Sequence, residues 1–197
     1  AVSVGTYDNL NKIFWTGKIT PQTFLGDTIL LSTGINRADF NLSMGNGMNT
    51  CNFAHNVTIT HADPSRPGGI SYFNFGSCTN MTVYGISFTG DLGNINGANY
   101  INVVQFAGCS NVNIIKCNMT FNPQTCEQGG AVIFSGCINC AAIDVYAFGV
   151  NSGVADNQED NNVNILVSRF RLRQFYNNAF FIGNSDGMTI IDCKKIS

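Results

Sequence analysis

The chain has 197 residues, of which only 11% are charged, and its formal net charge is −2. Soluble domains usually carry roughly 25% charged residues, so Gly, Asn, Ser and Thr must cover this surface by hydrogen bonding instead. The near-neutral balance offers no general electrostatic footprint for nucleic acid, and no stretch nears the roughly 18 uninterrupted apolar residues of a membrane helix.

Residues 1–25 read as an irregular N-terminal cap. Asn9, Gly17 and Pro21 break any long period, and Phe14, Trp15 and Phe24 are bulky enough to lid one end of a core. Gly26-Asp27-Thr28-Ile29-Leu30-Leu31-Ser32-Thr33-Gly34 is a strand between two glycines. Phe40-Asn41-Leu42-Ser43-Met44 alternates as a second strand before a Gly45-Asn46-Gly47 turn.

One phrase then recurs, an Asn followed by a short alternating strand. Its copies are Asn56-Val57-Thr58-Ile59, Asn80-Met81-Thr82-Val83, Asn111-Val112-Asn113-Ile114, Asn139-Cys140-Ala141-Ala142, Asn162-Val163-Asn164-Ile165 and Gly187-Met188-Thr189-Ile190. Their first residues lie 24, 31, 28, 23 and 25 apart. A period of this size marks an array in which no unit buries its apolar face alone. Each phrase is preceded by another short strand, such as Phe73-Asn74-Phe75 or Val104-Gln105-Phe106, and a Gly/Ser-rich corner. Period two sends Val163 and Ile165 inward with Val57, Ile59, Met81, Val83, Val112, Ile114, Met188 and Ile190, and Asn164 outward with Thr58, Thr82, Asn113 and Thr189.

Strands this short, with Gly corners and no helical period, predict an all-β coil in which each strand pairs in parallel with its equivalent one turn later. A ladder of stacked amides follows from Asn56, Asn80, Asn111, Asn139 and Asn162, since Asn both donates and accepts and tolerates a left-handed backbone. Gly187 would meet the backbone demand and forfeit the ladder bond. Cys78, Cys109 and Cys137 each stand two residues before a ladder Asn, which predicts a buried column of reduced thiols rather than a disulfide framework. Reduced thiols favour assembly in a reducing cytoplasm.

These repeats resemble the right-handed parallel β-helix, or pectin-lyase-like, superfamily over roughly residues 26–197. The resemblance implies a solenoid of about six to seven rungs. That superfamily includes polysaccharide lyases, glycoside hydrolases and virus tailspikes and fibres, so the fold does not choose the activity. Ile190–Ser197 stops partway round a repeat without a polar cap, so the expectation is a coil incomplete at its C-terminal end.

For chemistry, the carboxylates to weigh are Asp91, Glu127, Asp144, Asp156, Glu159 and Asp160. Only Asp144 falls outward within a repeat strand; Asp156, Glu159 and Asp160 read as a solvated turn. Arg169-Phe170-Arg171-Leu172-Arg173 points three Arg outward on one face, with Lys194 and Lys195 at the comparable place one repeat later. This stripe suits forked contacts to carboxylates or phosphates of an acidic glycan, or a subunit contact. His55 and His61 bracket one strand with no Cys or carboxylate at metal spacing, so neither metal nor cofactor is expected. The leading expectation is a structural or receptor-facing protein of a virus particle, such as a tail fibre, tailspike segment or head decoration. It would be assembled in the host cytoplasm and displayed at the virion surface. The resemblance implies a homotrimer that contacts other virion proteins and cell-surface polysaccharide. The alternative is a polysaccharide-degrading lyase or hydrolase, and a third class is an extracellular, secreted adhesin.

Overall fold

The structure, a computed structural model, describes residues 2–4, 28–31, 49–52, 55–56, 58–61, 69–70, 73–90, 103–121, 130–156, 161–175 and 177–197. Phe14, Trp15, Phe24, the 40–44 strand with the turn after it, and Asp91, Glu127, Glu159 and Asp160 lie outside these residues. Among the described residues every regular element is a β-strand. They stack as a parallel β-solenoid with three main sheets of eight, six and six strands, beside which Asn162–Val163 pairs with Ser185–Asp186.

The first sheet has eight strands, in the order Val2–Val4, Thr28–Leu31, Thr58–His61, Thr79–Tyr84, Ser110–Ile115, Ala141–Ile143, Leu166–Ser168 and Thr189–Ile191. The second sheet stacks Asn49–Asn52, Phe73–Gly76, Val104–Ala107, Val132–Ser135, Val154–Asp156 and Phe180–Phe181. The third stacks Gly69–Ile70, Ser87–Gly90, Asn118–Phe121, Tyr146–Val150, Arg171–Phe175 and Lys194–Lys195. Val2–Val4 falls within the segment expected to be irregular. Its Val-Ser-Val alternation pairs with Thr28–Leu31, with Val2 against Ile29.

Three columns of left-handed corners hold this register; the first is Ser77, Gly108 and Gly136, with φ of 51, 61 and 60°, where Ser77 N–H donates to Ala107 O and Gly108 N–H to Ser135 O. Leading from the second sheet into the first, Asn56, Asn80, Asn111, Asn139 and Asn164 have φ of 54, 51, 55, 55 and 55°, and Gly187 has 77°. Asn111 N–H donates to Ile138 O, Asn139 N–H to Val163 O and Asn164 N–H to Asp186 O. Each of those acceptors immediately precedes the corner residue of the next coil. Leading from the first sheet into the third, Gly85, Lys116, Asp144, Arg169 and Asp192 have φ of 64, 53, 53, 52 and 55°. The same pattern recurs there: Gly85 N–H donates to Ile115 O, Lys116 to Ile143 O, Asp144 to Ser168 O and Arg169 to Ile191 O.

The register corrects one member of the expected amide ladder. Val163 lies opposite Ile138, so Asn164, not Asn162, occupies the corner above Asn139. Asn164 Nδ2 donates to Asn139 Oδ1 at 2.7 Å. Asn162 falls instead in the cysteine column, directly above Cys137. Ile165 and Val167 are therefore the inward pair, at 1% and 0% exposure. Leu166, paired with Ala141, takes the outward position that period two assigned to Asn164, and Val163 is only partly buried.

Asn162 also shows what the cysteine column requires. Cys109 Sγ donates to Phe75 O at 3.3 Å and Cys137 Sγ to Phe106 O at 3.2 Å. Asn162 Nδ2 donates to the equivalent Phe134 O at 3.1 Å. Its Oδ1 accepts from Cys137 N–H at 2.9 Å. This corner selects a compact donor that reaches the carbonyl one coil below; thiol and amide both qualify.

Inside the coil, like packs on like. Phe75, Phe106 and Phe134 stack with centroids 5.3 and 5.6 Å apart and planes inclined by 16 and 18°. All three are fully buried. Offset stacking adds about 1 kcal/mol per pair beyond the area removed from water. Phe106 is the middle ring, so Phe106→Ala leaves a cavity against both neighbours. Its expected cost is about 4 kcal/mol, read as a lower midpoint in urea unfolding; a loss under 1 kcal/mol would mean that the rings do not stack.

Candidate functional site

The outer face of the third sheet gathers three of the cations that the sequence singled out, Arg171, Arg173 and Lys194. Register aligns Asn118, Tyr146, Arg171 and Lys194 in one row that runs from coil to coil. Beside it, Thr120, Phe148 and Arg173 form a second row. Leu172 between them is buried at 3%, while Arg171, Arg173 and Lys194 are exposed. Coils lie about 4.8 Å apart, and outward residues two apart on a strand are separated by about 6.6 Å. Arg171, Arg173 and Lys194 thus form a small grid of cations next to two aromatic rings. The Arg173 guanidinium carbon lies 6.0 Å from the Phe148 centroid; Lys195 is paired with the buried Leu172 and so stands outside the grid, its Nζ 5.5 Å from the Phe175 centroid. Cation–π contact braces such long side chains without consuming their outward donors.

Tyr146 and Phe148 were not singled out from the sequence. The signal was present: they alternate at period two and stand 25 residues before Arg171 and Arg173. Only knowledge of the coil length turns that interval into adjacency.

Arg169 does not continue the row. Its left-handed backbone turns it into the corner column, where Nε and Nη2 donate to Asp144 Oδ1 and Oδ2 at 2.5 and 2.9 Å. The fork of hydrogen bonds from Arg169, assisted by its charge and those of Lys116 and Arg171, holds the Asp144 carboxyl below its ordinary range. Arg169 is raised in turn, first by that hydrogen bond and then by the charges of Asp144 and Asp192. Lys116, Asp144, Arg169 and Asp192 therefore alternate in sign up the corner, and Lys116 Nζ also sits 5.7 Å over the Tyr84 ring.

Asp156 was read as part of a solvated turn, and the structure corrects this. It is paired in register with Phe134 and is only 5% exposed. Its Oδ1 accepts from Gly183 N–H at 2.7 Å, and its Oδ2 accepts from Asn184 N–H and Ser185 Oγ at 2.8 and 3.0 Å. The carboxylate closes the aromatic column by staking down the corner of the next coil. His55 Nδ1 is bonded to Thr79 Oγ1. Among the described residues no group of three or more His, Cys, Asp and Glu is placed to hold a metal ion.

These two carboxylates generate separate tests. Asp156→Ala leaves the Gly183 and Asn184 N–H groups and the half-buried Ser185 hydroxyl without their carboxylate and should cost about 2 kcal/mol in chemical unfolding; an unchanged midpoint would refute the staple. For Asp144, the depressed folded-state titration means that its contribution is present well above the ordinary value of 3.8 and is lost as pH falls through the folded value. The melting-temperature gap between wild type and Asp144→Asn should therefore be small but measurable near neutrality and vanish in acid. A gap that widens in acid would show the opposite linkage.

No family model and no curated protein matches the chain. Among solved structures, it is similar to one described as a candidate glycosyl hydrolase from Parabacteroides merdae ATCC 43184. The TM-score is 0.50 at 12% identity, over 86% of this chain and 83% of that one. At that identity the likeness shows a shared fold, a parallel β-solenoid, and nothing finer.

Proposed function

We propose that the chain is a carbohydrate-related β-helix protein that presents the outer face of its third sheet to an anionic polysaccharide. The observation that carries this reading is the grid of Arg171, Arg173 and Lys194 beside Tyr146 and Phe148. Sugar rings lie flat on aromatic faces, and guanidinium forks match carboxylate or sulfate groups. A rigid sheet holds those groups at fixed intervals, so little ordering entropy opposes binding. The finer reading is a structural or receptor-facing component of a virus particle, with three chains side by side. A low-charge repetitive coil and buried thiols suited to cytoplasmic assembly support it.

A depolymerase is the second reading, favoured by the description given to the similar structure. Against it stand the engagements of Asp144 and Asp156, which spend both carboxylates on structure.

Affinity electrophoresis through gels containing polygalacturonate, heparin or neutral dextran tests the binding face. Retardation is expected in the anionic gels alone, and Arg171→Ala with Arg173→Ala should weaken it at least tenfold, as each charged hydrogen bond is worth about 1.5–3 kcal/mol. Equal migration in all three gels would refute the binding reading. New reducing ends or unsaturated products from either anionic polymer would favour the depolymerase. Light scattering that gives a monomer would exclude the trimer.

A further inference from the structure

Where the third sheet carries cations on its outer face, the first sheet carries apolar side chains. Across four successive coils, register brings together Ile115, Ile138, Ile143, Val163, Leu166 and Ile191. Ile138 and Ile191 are 45% and 49% exposed, and the other four are partly exposed. One flank of this patch is the corner column of Asn111, Asn139, Asn164 and Gly187. The other is the column of Lys116, Asp144, Arg169 and Asp192. Between the two flanks no outward position of these coils is charged. An apolar centre inside a polar rim is the anatomy of a protein interface, not of a face kept for solvent.

We infer that this face binds a second copy of the chain, sheet against sheet and with the two solenoid axes antiparallel. The two-fold axis runs along the strands and passes between the coils of Asp144 and Arg169. The order of signs on the charged flank carries the inference. Read up the solenoid it is cation, anion, cation, anion, and read downward it is the reverse. The two-fold therefore sets Lys116 opposite Asp192 of the other copy and Asp144 opposite Arg169, so every contact along the flank joins opposite signs. A two-fold along the solenoid axis would lay the charged flank against the amides instead.

The centre of the face obeys the same reversal. Ile115 falls opposite Ile191, Ile138 opposite Val163 and Ala141 opposite Leu166, while the polar Asn113 meets Thr189. Ile143 opposite Ser168 is the mixed contact, and the Ser168 hydroxyl already accepts from Arg169 Nη1 at 3.4 Å. Such a surface is complementary to itself, as a two-fold interface requires. Coils about 4.8 Å apart and residues about 3.3 Å apart give a face of roughly 19 by 17 Å, the size of a weak, reversible association. The pair is an alternative to three chains side by side. It leaves the glycan face on the third sheet free and does not rest on it.

Sedimentation velocity across a range of protein concentrations tests the inference. Wild type is expected to move from the mass of one chain to that of two as concentration rises. Lys116 and Asp192 stand three coils apart, about 14 Å, so they do not pair within one chain. Lys116→Asp and Asp192→Lys should each weaken the pair about tenfold, since each turns two attractive contacts repulsive. Mixed in equal amounts, the two variants should pair with each other at wild-type strength, because opposite signs face one another again. A chain that stays single at every concentration or a three-chain particle would overturn the inference, whether or not a variant folds. So would a mixture that pairs no better than its components.

Discussion

Left-handed corner residues are the constraint on which the rest of this molecule depends. Each donates its N–H to the carbonyl just before its counterpart in the next coil. Once that bond recurs at two corners, every strand is in parallel register with its equivalent, and equivalent positions stack on one another. The aromatic column of Phe75, Phe106 and Phe134, the thiol column and the alternating charges of Lys116, Asp144, Arg169 and Asp192 are consequences of that register rather than its cause. Asn and Gly meet the corner demand cheaply, and residues such as Lys116 and Arg169 meet it against a steric cost of about 1 kcal/mol.

Stacking also converts sequence interval into neighbourhood, and this gives the outer faces their chemistry. Tyr146 and Phe148 sit directly below Arg171 and Arg173 because one coil separates them. On the inside, the same rule brings Asp156 beneath the corner at residues 183–185 and spends its carboxylate on backbone donors. Two acidic residues of similar sequence context thus end in different roles. Asp144 is held at an exposed corner by an Arg fork, and Asp156 is buried as a structural anchor.

The repeat, the strands and most inward apolar positions, Val163 excepted, were legible because period two and a coil-length recurrence are both written in the residues. Three assignments were not. Asn162-Val163-Asn164-Ile165 holds two amides at the strand period, so alternation alone fits either one to the corner; the stack decides, since the carbonyl of Phe134 needs a donor and Asn162 supplies it. Arg169 was placed in line with Arg171 and Arg173 because period two knows nothing of a left-handed corner, which turns Arg169 toward Asp144 while exposure still alternates through Arg173. Asp156 was misread for a related reason. Its environment is created by residues 27 to 29 positions later, and no local pattern announces them.

Lys116 offers the most direct test of the corner account. It has a φ of 53° and an exposed side chain. Lys116→Gly and Lys116→Ala both remove the cation, so the difference between them in equilibrium urea unfolding isolates the backbone. The account predicts that the glycine variant is the more stable by about 1 kcal/mol, because only glycine adopts this conformation without steric cost. If the alanine variant proves the more stable, residue 116 is not held in a left-handed corner and the stacked register loses its basis.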